Sequence, residues 1–454
     1  MKKYLIATLV AIAIGFIYVL SPAAVCFAAA TWAIQRYAIS GLDADDRRWV
    51  TALLMVAVLL RVAAVAALFV ATNHDRVAFG VVFPDEEFYL RRSIWLANVA
   101  QNIPTHTADF IYAFDESGWT SHLYVLAFLQ ALLGPSPYGA HLLGIALYLL
   151  AAVILYRMVR PTFGRAPALI GLVMLLFLPS LFAWSISALK EPLYLLFAAL
   201  SLSWTMTAIR DRRWTMKIVA AIGVVGVVVA LQTIREQGGV LAAAGITAGL
   251  FIGWIVSRPK LLIALAVAVP IVIGATLSRP QNQFVAFTTL QKAARQHWGH
   301  VETPGWVYTL LEPRFYSDSS TISGMTFTDS ARYVVRAFER YVTVPWPWEV
   351  QSTSALVDIP EQVVWYLLVL LLPVGVICSF QRDAMITGLL AGCALALIVA
   401  VAMTSGNVGT LVRHRSLAVP YLLWLSLAGL CELLSRARAR GAAPALSKAE
   451  PVWP

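Results

Sequence analysis

Residues 49–71 read WVTALLMVAVLLRVAAVAALFVA, an apolar run interrupted by one charge, Arg61. A helix needs roughly 17 to 25 such residues to cross a hydrocarbon core. The hydrophobicity is continuous rather than alternating, which selects a helix over a strand of a membrane barrel, because each must satisfy its own backbone in lipid. Comparable runs occupy Tyr4 to Leu20, Ala23 to Ala38, Tyr138 to Met158, Ala166 to Ala183, Pro192 to Ile209 and Lys217 to Thr233. Others follow at Gly238 to Val256, Leu261 to Leu277, Gln362 to Ser379, Met385 to Met403 and Leu417 to Leu434. The expectation is an all-α polytopic membrane protein with about twelve transmembrane helices. The first two runs lie back to back around Ser21-Pro22 and read either as two spans or as one bent helix.

Composition supports this. Of 454 residues, 60% are hydrophobic and 13% charged, with a mean hydropathy of +0.75. A soluble domain is nearer half apolar and a quarter charged, so a water-facing fold, a disordered chain and a fibre are excluded. The formal net charge of +10 points to membrane topology before nucleic acid. With Lys2 and Lys3 cytoplasmic, alternate loops carry Arg47-Arg48, then Arg157, Arg160 and Arg165, then Arg210 to Lys217, Arg258 and Lys260, Arg382, and Arg436 to Arg440. That alternation predicts cytoplasmic termini and puts two polar segments, Thr72 to Gly134 and Ser278 to Glu361, together on the outer side. The MKK start, apolar run and Ala28 to Ala30 also resemble a signal peptide; cleavage there would invert every later span. Cys26, Cys378, Cys393 and Cys431 have neither disulfide-framework nor metal-like spacing.

The chemistry is expected in the outer segments. Asp85-Glu86-Glu87 follows Pro84, and three adjoining carboxylates beside a membrane raise at least one pKa, which suits a general base. The same residues also read as a solvated helix start, with Asp85 as N-cap and the glutamates on the positive end of the dipole. Arg413-His414-Arg415 precedes the last span on the side where positive charge is discouraged, which suits an anion such as phosphate or snorkelling to headgroups. Lys190-Glu191 and Arg235-Glu236 add charges to the same face, as ligands or as local ion pairs. Arg61 has no partner evident in the sequence. Asp329 to Thr343 predicts an amphipathic helix with Tyr333, Val334, Val335, Phe338 and Tyr341 on one side, followed by Trp346-Pro347-Trp348 as an interfacial anchor. His297 and His300 share a helix face but lack a third ligand, so no metal site is assigned.

The order of these features resembles the GT-C membrane glycosyltransferases, in particular the family of protein mannosyltransferases and lipid A aminoarabinose transferases. The carriers of the resemblance are Asp85-Glu86-Glu87-Phe88-Tyr89, the short run His122 to Gly134, Ala166 to Pro179, Lys190-Glu191-Pro192, and Arg413-His414-Arg415 with Pro420. The chain departs from the family in an extra N-terminal span, in its third acid, and in lacking a large soluble domain after the last span.

The resemblance implies transfer of a sugar from a polyprenyl-phosphate donor to a glycan, lipid or protein acceptor on the outer face of a bacterial inner membrane. Asp85 would be the base and Glu86 its helper, with Glu87, Tyr89, Lys190, Glu191, Arg235, Arg413, His414 and Arg415 binding substrate. No nucleotide-binding motif is present, so the donor carries its own activation. No cofactor is required by this reading, although a divalent cation would be compatible with it. The expected organisation is a helical hairpin over 1–48, a GT-C-like core over 49–278 with an outer loop at 72–137, an outer loop with an amphipathic helix at 279–361, C-terminal spans over 362–435, and a cytoplasmic tail at 436–454. The rivals are a polysaccharide polymerase or O-antigen ligase, which would rely on Arg314, Arg332, Arg336 and Arg340, and a transporter of lipid-linked saccharides.

Overall fold

The computed structural model describes residues 21–116, 118–346, 348 and 359–442. Among these the chain is helical, with one isolated β-bridge between Val307 and Asn407. Eight helices are long and apolar enough to cross a membrane, and two further pairs, each broken by a sharp bend, bring the number to ten. Among the described residues the count therefore stays below the expected twelve. The run from Tyr4 to Leu20 lies outside the described residues, and helix α1 (Pro22–Ile39) carries Gln35 and Arg36, polar residues that keep it out of the apolar set. The chain forms two compact units, the first comprising residues 1–161 and 168–242, the second 162–167 and 243–454.

In the first unit, α2 (Ala44–Ala71) starts at Asp43, whose side chain accepts from the Asp46 N–H. Its buried residues, Asp46, Val50, Leu54, Ala57, Arg61 and Val65, recur every three or four positions and form one seam. Leu59, Leu60, Phe69 and Val70 face outward, as lipid contact allows. The polar segment then contributes α3 (Asp85–Ala100), α4 (Thr107–Ala113) and α5 (Ser121–Leu133), the last too short to cross. Next come α6 (Pro137–Phe163), α7 (Arg165–Phe177), α8 (Pro179–Ser185), α9 (Glu191–Arg210) and α10 (Trp214–Ile234). Helices α6 and α9 are the most enclosed spans. At the start of α2, Asp46 is buried and pairs with Arg160 near the end of α6. At the other end Phe69 packs edge-on against Tyr138, with ring centroids 5.1 Å apart. The two long helices therefore run antiparallel.

The predicted span Ala166 to Ala183 is α7 and α8, bent by 62° where Pro179 follows Leu178. Just before the bend, the Leu176 carbonyl is satisfied by Arg61. Its Nη2 donates to the Leu176 carbonyl at 2.7 Å, its Nε to Ser185 Oγ at 2.7 Å, and its Nη1 to Ala57 O at 3.2 Å. The guanidinium also lies 4.8 Å from the Phe182 ring centroid.

In the second unit, α11 (Gly238–Val256), α12 (Pro259–Leu277), α13 (Pro280–Val301), α14 (Phe327–Thr343), α15 (Ile359–Arg382), α16 (Ala384–Thr404), α17 (Val408–Arg415) and α18 (Val419–Ala442) follow in order. The last two form the second bent pair, at 65°. Small residues set the packing. A Cβ on Gly249 would stand 2.6 Å from Leu389 Cα and one on Gly392 2.5 Å from Gly245 O, so α11 and α16 touch backbone to backbone. Of the side predicted for the amphipathic helix, Tyr333 and Tyr341 are buried in α14, whereas Val335 is 69% exposed; it lies two positions from both Tyr333 and Ala337, on the face opposite the stripe that Tyr333, Ala337 and Tyr341 define at four-residue spacing. Helices α12, α13 and α14 border an open apolar groove of about 870 Å³ lined by Phe284, Phe287, Leu290 and Phe327.

Candidate active site

Asp85, Glu86 and Glu87 occupy the first turn of α3, where carboxylates favour the positive end of the helix dipole. Their surroundings differ. Asp85 is exposed, Glu87 is half-buried, and Glu86 is fully buried. Glu87 pairs with Arg91 one turn along, at 2.6 Å. Glu86 instead accepts backbone N–H groups: Val82 at 3.1 Å and Phe83 at 2.7 Å on Oε1, and Ala188 at 3.1 Å on Oε2. A buried carboxylate is tolerable when such donors replace its water.

Ala188 belongs to the short turn between α8 and α9, and that turn is gripped from three helices. Glu86 in α3 takes the Ala188 N–H, while His122 Nε2 in α5 donates to the Ala188 carbonyl at 3.0 Å. His141 Nδ1 in α6 lies 2.7 Å from the Ile186 carbonyl and 3.6 Å from Glu86 Oε2. Burial pushes the His122 pKa below the ordinary histidine value, so the ring is neutral at pH 7 and Nε2 carries its one proton. Gly144 in α6 completes the seat, since a Cβ there would stand 2.5 Å from the Ser187 carbonyl.

The residues that follow the turn are thereby placed. Lys190 Nζ stands 5.9 Å from the centroid of the Tyr89 ring, and Tyr89 in turn meets His122 edge-on at 6.2 Å. Glu191 is buried at the start of α9. A second connection is tied to the same end: Thr120 Oγ1 donates to the Ile234 carbonyl at 2.5 Å and Thr233 Oγ1 to Ser121 Oγ at 3.0 Å. That brings in Arg235, ahead of a turn in which Gln237 takes a positive φ of 64°. Asp85, Glu86, Glu87, Tyr89, Lys190, Glu191 and Arg235 thus gather at one end of the first unit.

Arg413, His414 and Arg415 lie in the second unit, in the last turn of α17. Arg415 is buried, with Nη1 donating to Gln362 Oε1 at 2.8 Å, Nη2 to the Val344 carbonyl, and its guanidinium 4.8 Å from the Trp365 ring. Arg413 and His414 are half-buried. His297 Nδ1 and His300 Nδ1 lie 2.6 and 2.8 Å from the carbonyls of Ser405 and Thr404, at the C-terminal end of α16, and Tyr308 donates to Ser405 O at 2.8 Å. Tyr333 donates to Met403 O. These side chains cap carbonyls that have no partner within the helix. Among the described residues no three His, Cys, Asp or Glu side chains gather as a metal ion would require. Of the arginines a polymerase would use, Arg314 pairs with Glu312 and Asp329, Arg332 with Glu312, and Arg336 Nη1 donates to Leu310 O.

His122 and His141 escape a reading by acidic or cationic clusters. A signal for His141 existed: it is an ionisable residue inside an apolar span, which in lipid marks a buried partner. His122 follows the Thr120-Ser121 helix start, which hides it among capping residues.

Residues 121–276 match the family model described as dolichyl-phosphate-mannose-protein mannosyltransferase. This match supports a GT-C membrane glycosyltransferase. The matched stretch contains α5 to α10 with the gripped turn, Lys190, Glu191 and Arg235, and continues through α11 and most of α12; it excludes both 85–89 and 413–415. Comparison with curated proteins and with solved structures gave no match.

Proposed function

We propose that the protein transfers a sugar from a polyprenyl-phosphate carrier to an acceptor hydroxyl of a glycan, lipid or protein on the outer face of a bacterial inner membrane, with inversion at the anomeric carbon. The observation that carries this reading is the tie between buried Glu86 and Ala188, which fixes exposed Asp85 and the Lys190 turn in one rigid end of the first unit. Preorganised charges of this kind lower a barrier because nothing has to reorient during reaction.

Asp85 acts as general base. The acceptor oxygen attacks the anomeric carbon, its proton passes to the Asp85 carboxylate, and the bond to the carrier phosphate breaks with the electron pair leaving on that phosphate. Glu86 has the role of a positioning residue, since its oxygens accept three backbone N–H groups. Lys190 and Arg235 supply positive charge near the base, and Tyr89, with Lys190 over its ring, orients the acceptor. Arg413 and His414 are proposed phosphate ligands, while Arg415 braces them through Gln362 and Val344. The apolar groove along α13 suits the carrier's hydrocarbon chain.

Reconstituted with a lipid-phosphate sugar donor, D85N is expected to abolish transfer and retain carrier binding. Full transfer by that variant removes the base assignment.

A further inference from the structure

The end of the first unit opposite Asp85 carries a basic stretch that none of the proposed roles uses. Helix α9 begins beside the gripped turn and runs about 30 Å to Arg210, and residues 211–213 then turn the chain into α10. Residues 210–217 read RDRRWTMK. Arg212 and Arg213 are exposed and Lys217 is half-buried. Arg210 is engaged within the protein, and Asp211, the one acid of the stretch, accepts the Arg213 N–H on Oδ1 at 2.7 Å. At the same end of the unit Asp43 and Asp46 pair with Arg160, and Asp45 is engaged as well. The turn therefore presents a cationic excess.

Two features join that excess to lipid. Helices α9 and α10 both have the length and composition of spans, so the three-residue turn between them stands at a membrane surface. Trp214 at the head of α10 is 73% exposed, a position suited to an interfacial aromatic. Below it Ile218, Ile222, Val225 and Val229 are exposed at helical spacing. The other side of α10, with Ala220, Val227 and Leu231, is buried, and a Cβ on Gly223 would stand 2.5 Å from the Trp204 ring of α9. This close packing fixes the direction of the exposed stripe, with cations at its head and apolar side chains along it. The arrangement matches a phospholipid, charged at one end and hydrocarbon below.

We infer that the turn between α9 and α10 binds the headgroup of an anionic glycerophospholipid, with its phosphate among Arg212, Arg213 and Lys217 and its acyl chains along the exposed stripe of α10. Arg213 and Lys217 lie one helical turn apart, near enough to share one phosphate, and guanidinium donors match its oxygens. A zwitterionic headgroup brings an amine back to the same cations and gains less. An acidic soluble partner would cover the turn and leave the stripe bare. The binding is independent of the transfer reading, because Asp85 lies at the other end of the unit.

The test reads lipid composition at one residue. The full-length protein with Cys26→Ser and Cys431→Ser carries a bimane on I222C and is placed in dioleoylphosphatidylcholine vesicles. A small known fraction of the lipid is dibrominated, and its bromines quench the label at short range. Dibromo-phosphatidylglycerol is expected to be enriched about fivefold over bulk at this residue, and dibromo-phosphatidylethanolamine to stay within about twofold of it. A bimane on L59C, midway along exposed α2, should report bulk composition for both lipids. R212Q/R213Q/K217Q should bring I222C to bulk. R212K/R213K, which keeps the charge, should retain most of the enrichment and so guards against a distorted helix as the cause of loss. Salt at about 0.5 M should weaken the enrichment, whereas about 10 mM inorganic phosphate should not. Equal enrichment of the two lipids, no enrichment, enrichment equally strong at L59C, enrichment surviving the triple variant or high salt, loss in R212K/R213K, or displacement by inorganic phosphate overturns the inference. Adding D85N separates the two readings, because it stops transfer and leaves the enrichment intact.

Discussion

Each unit of this protein holds one chain turn in place with side chains from elsewhere, and the two grips use different chemistry. In the first unit the turn at 186–190 is gripped by a carboxylate and two imidazoles, Glu86, His122 and His141. In the second, the turn after α16 is gripped by two imidazoles and two phenols, His297, His300, Tyr308 and Tyr333. The second grip contains no carboxylate and makes a helix end safe to bury. The first places a buried carboxylate beneath a surface that carries exposed Asp85 and half-buried Lys190. The contrast teaches that a buried carboxylate which accepts backbone N–H groups can fix a turn from a distant helix, and it does so at the end to which the proposed chemistry is assigned.

The largest effect should come from the exposed partner of that buried carboxylate. D85N is expected to lower kcat by about 10²- to 10⁴-fold, the range for loss of a general base, with an unchanged thermal midpoint. A fall in midpoint matching the fall in rate would make Asp85 structural. The buried acid should behave in the opposite sense. E86A leaves three backbone N–H groups without their acceptor, at about 1–3 kcal/mol each, and should lower both midpoint and kcat. H122F, which removes the donor to Ala188, should lower kcat more than it raises KM if the turn is a positioning device.

The second grip is sharpened by pH. Burial lowers the His297 pKa to about 4, while the unfolded chain holds the same ring near its ordinary value of about 6.5. Between those values the unfolded state binds the extra proton, so stability falls as pH drops through that window and is fully present above it. The contribution is of order 3 kcal/mol, measurable as a pH-dependent denaturation midpoint that H297N should flatten. A wild-type midpoint independent of pH from 7 to 4 would contradict this. The smallest expected effect is that of R61M, about 1–3 kcal/mol, seen as a lower midpoint in detergent with little change in the pH profile, because it strands the carbonyl of Leu176.

Helix length and apolar continuity made the fold class legible, since each span satisfies its own backbone and needs no distant partner to be recognised. The bends were less so. Pro179 marks a break, but nothing local states that the two halves diverge by 62°. Val335 was grouped with Tyr333 by hydrophobicity, yet the helical repeat carries it off the buried stripe. Among the candidate residues, the acids at 85–87 are conspicuous by charge, while the division between a buried Glu86 and an exposed Asp85 depends on Ala188, 102 positions later. Of the two clamps, His122 was silent and His141 stood out only as an ionisable residue in an apolar span; their partners were hidden because both act on carbonyls, and every residue has one.

The bond between Arg61 and Leu176 has a consequence for how the chain is made. Their separation is 115 residues, and that to Ser185 is 124, so α2 leaves the ribosome long before its acceptors exist. During that interval a guanidinium sits in a nascent segment headed for hydrocarbon, where it is costly. The segment must wait in a watery or chaperoned compartment, or tilt to keep its cation near headgroups, until the broken helix arrives. A ribosome-stalled chain ending before Leu176 should accordingly be far easier to extract with alkali than one ending beyond Ser185.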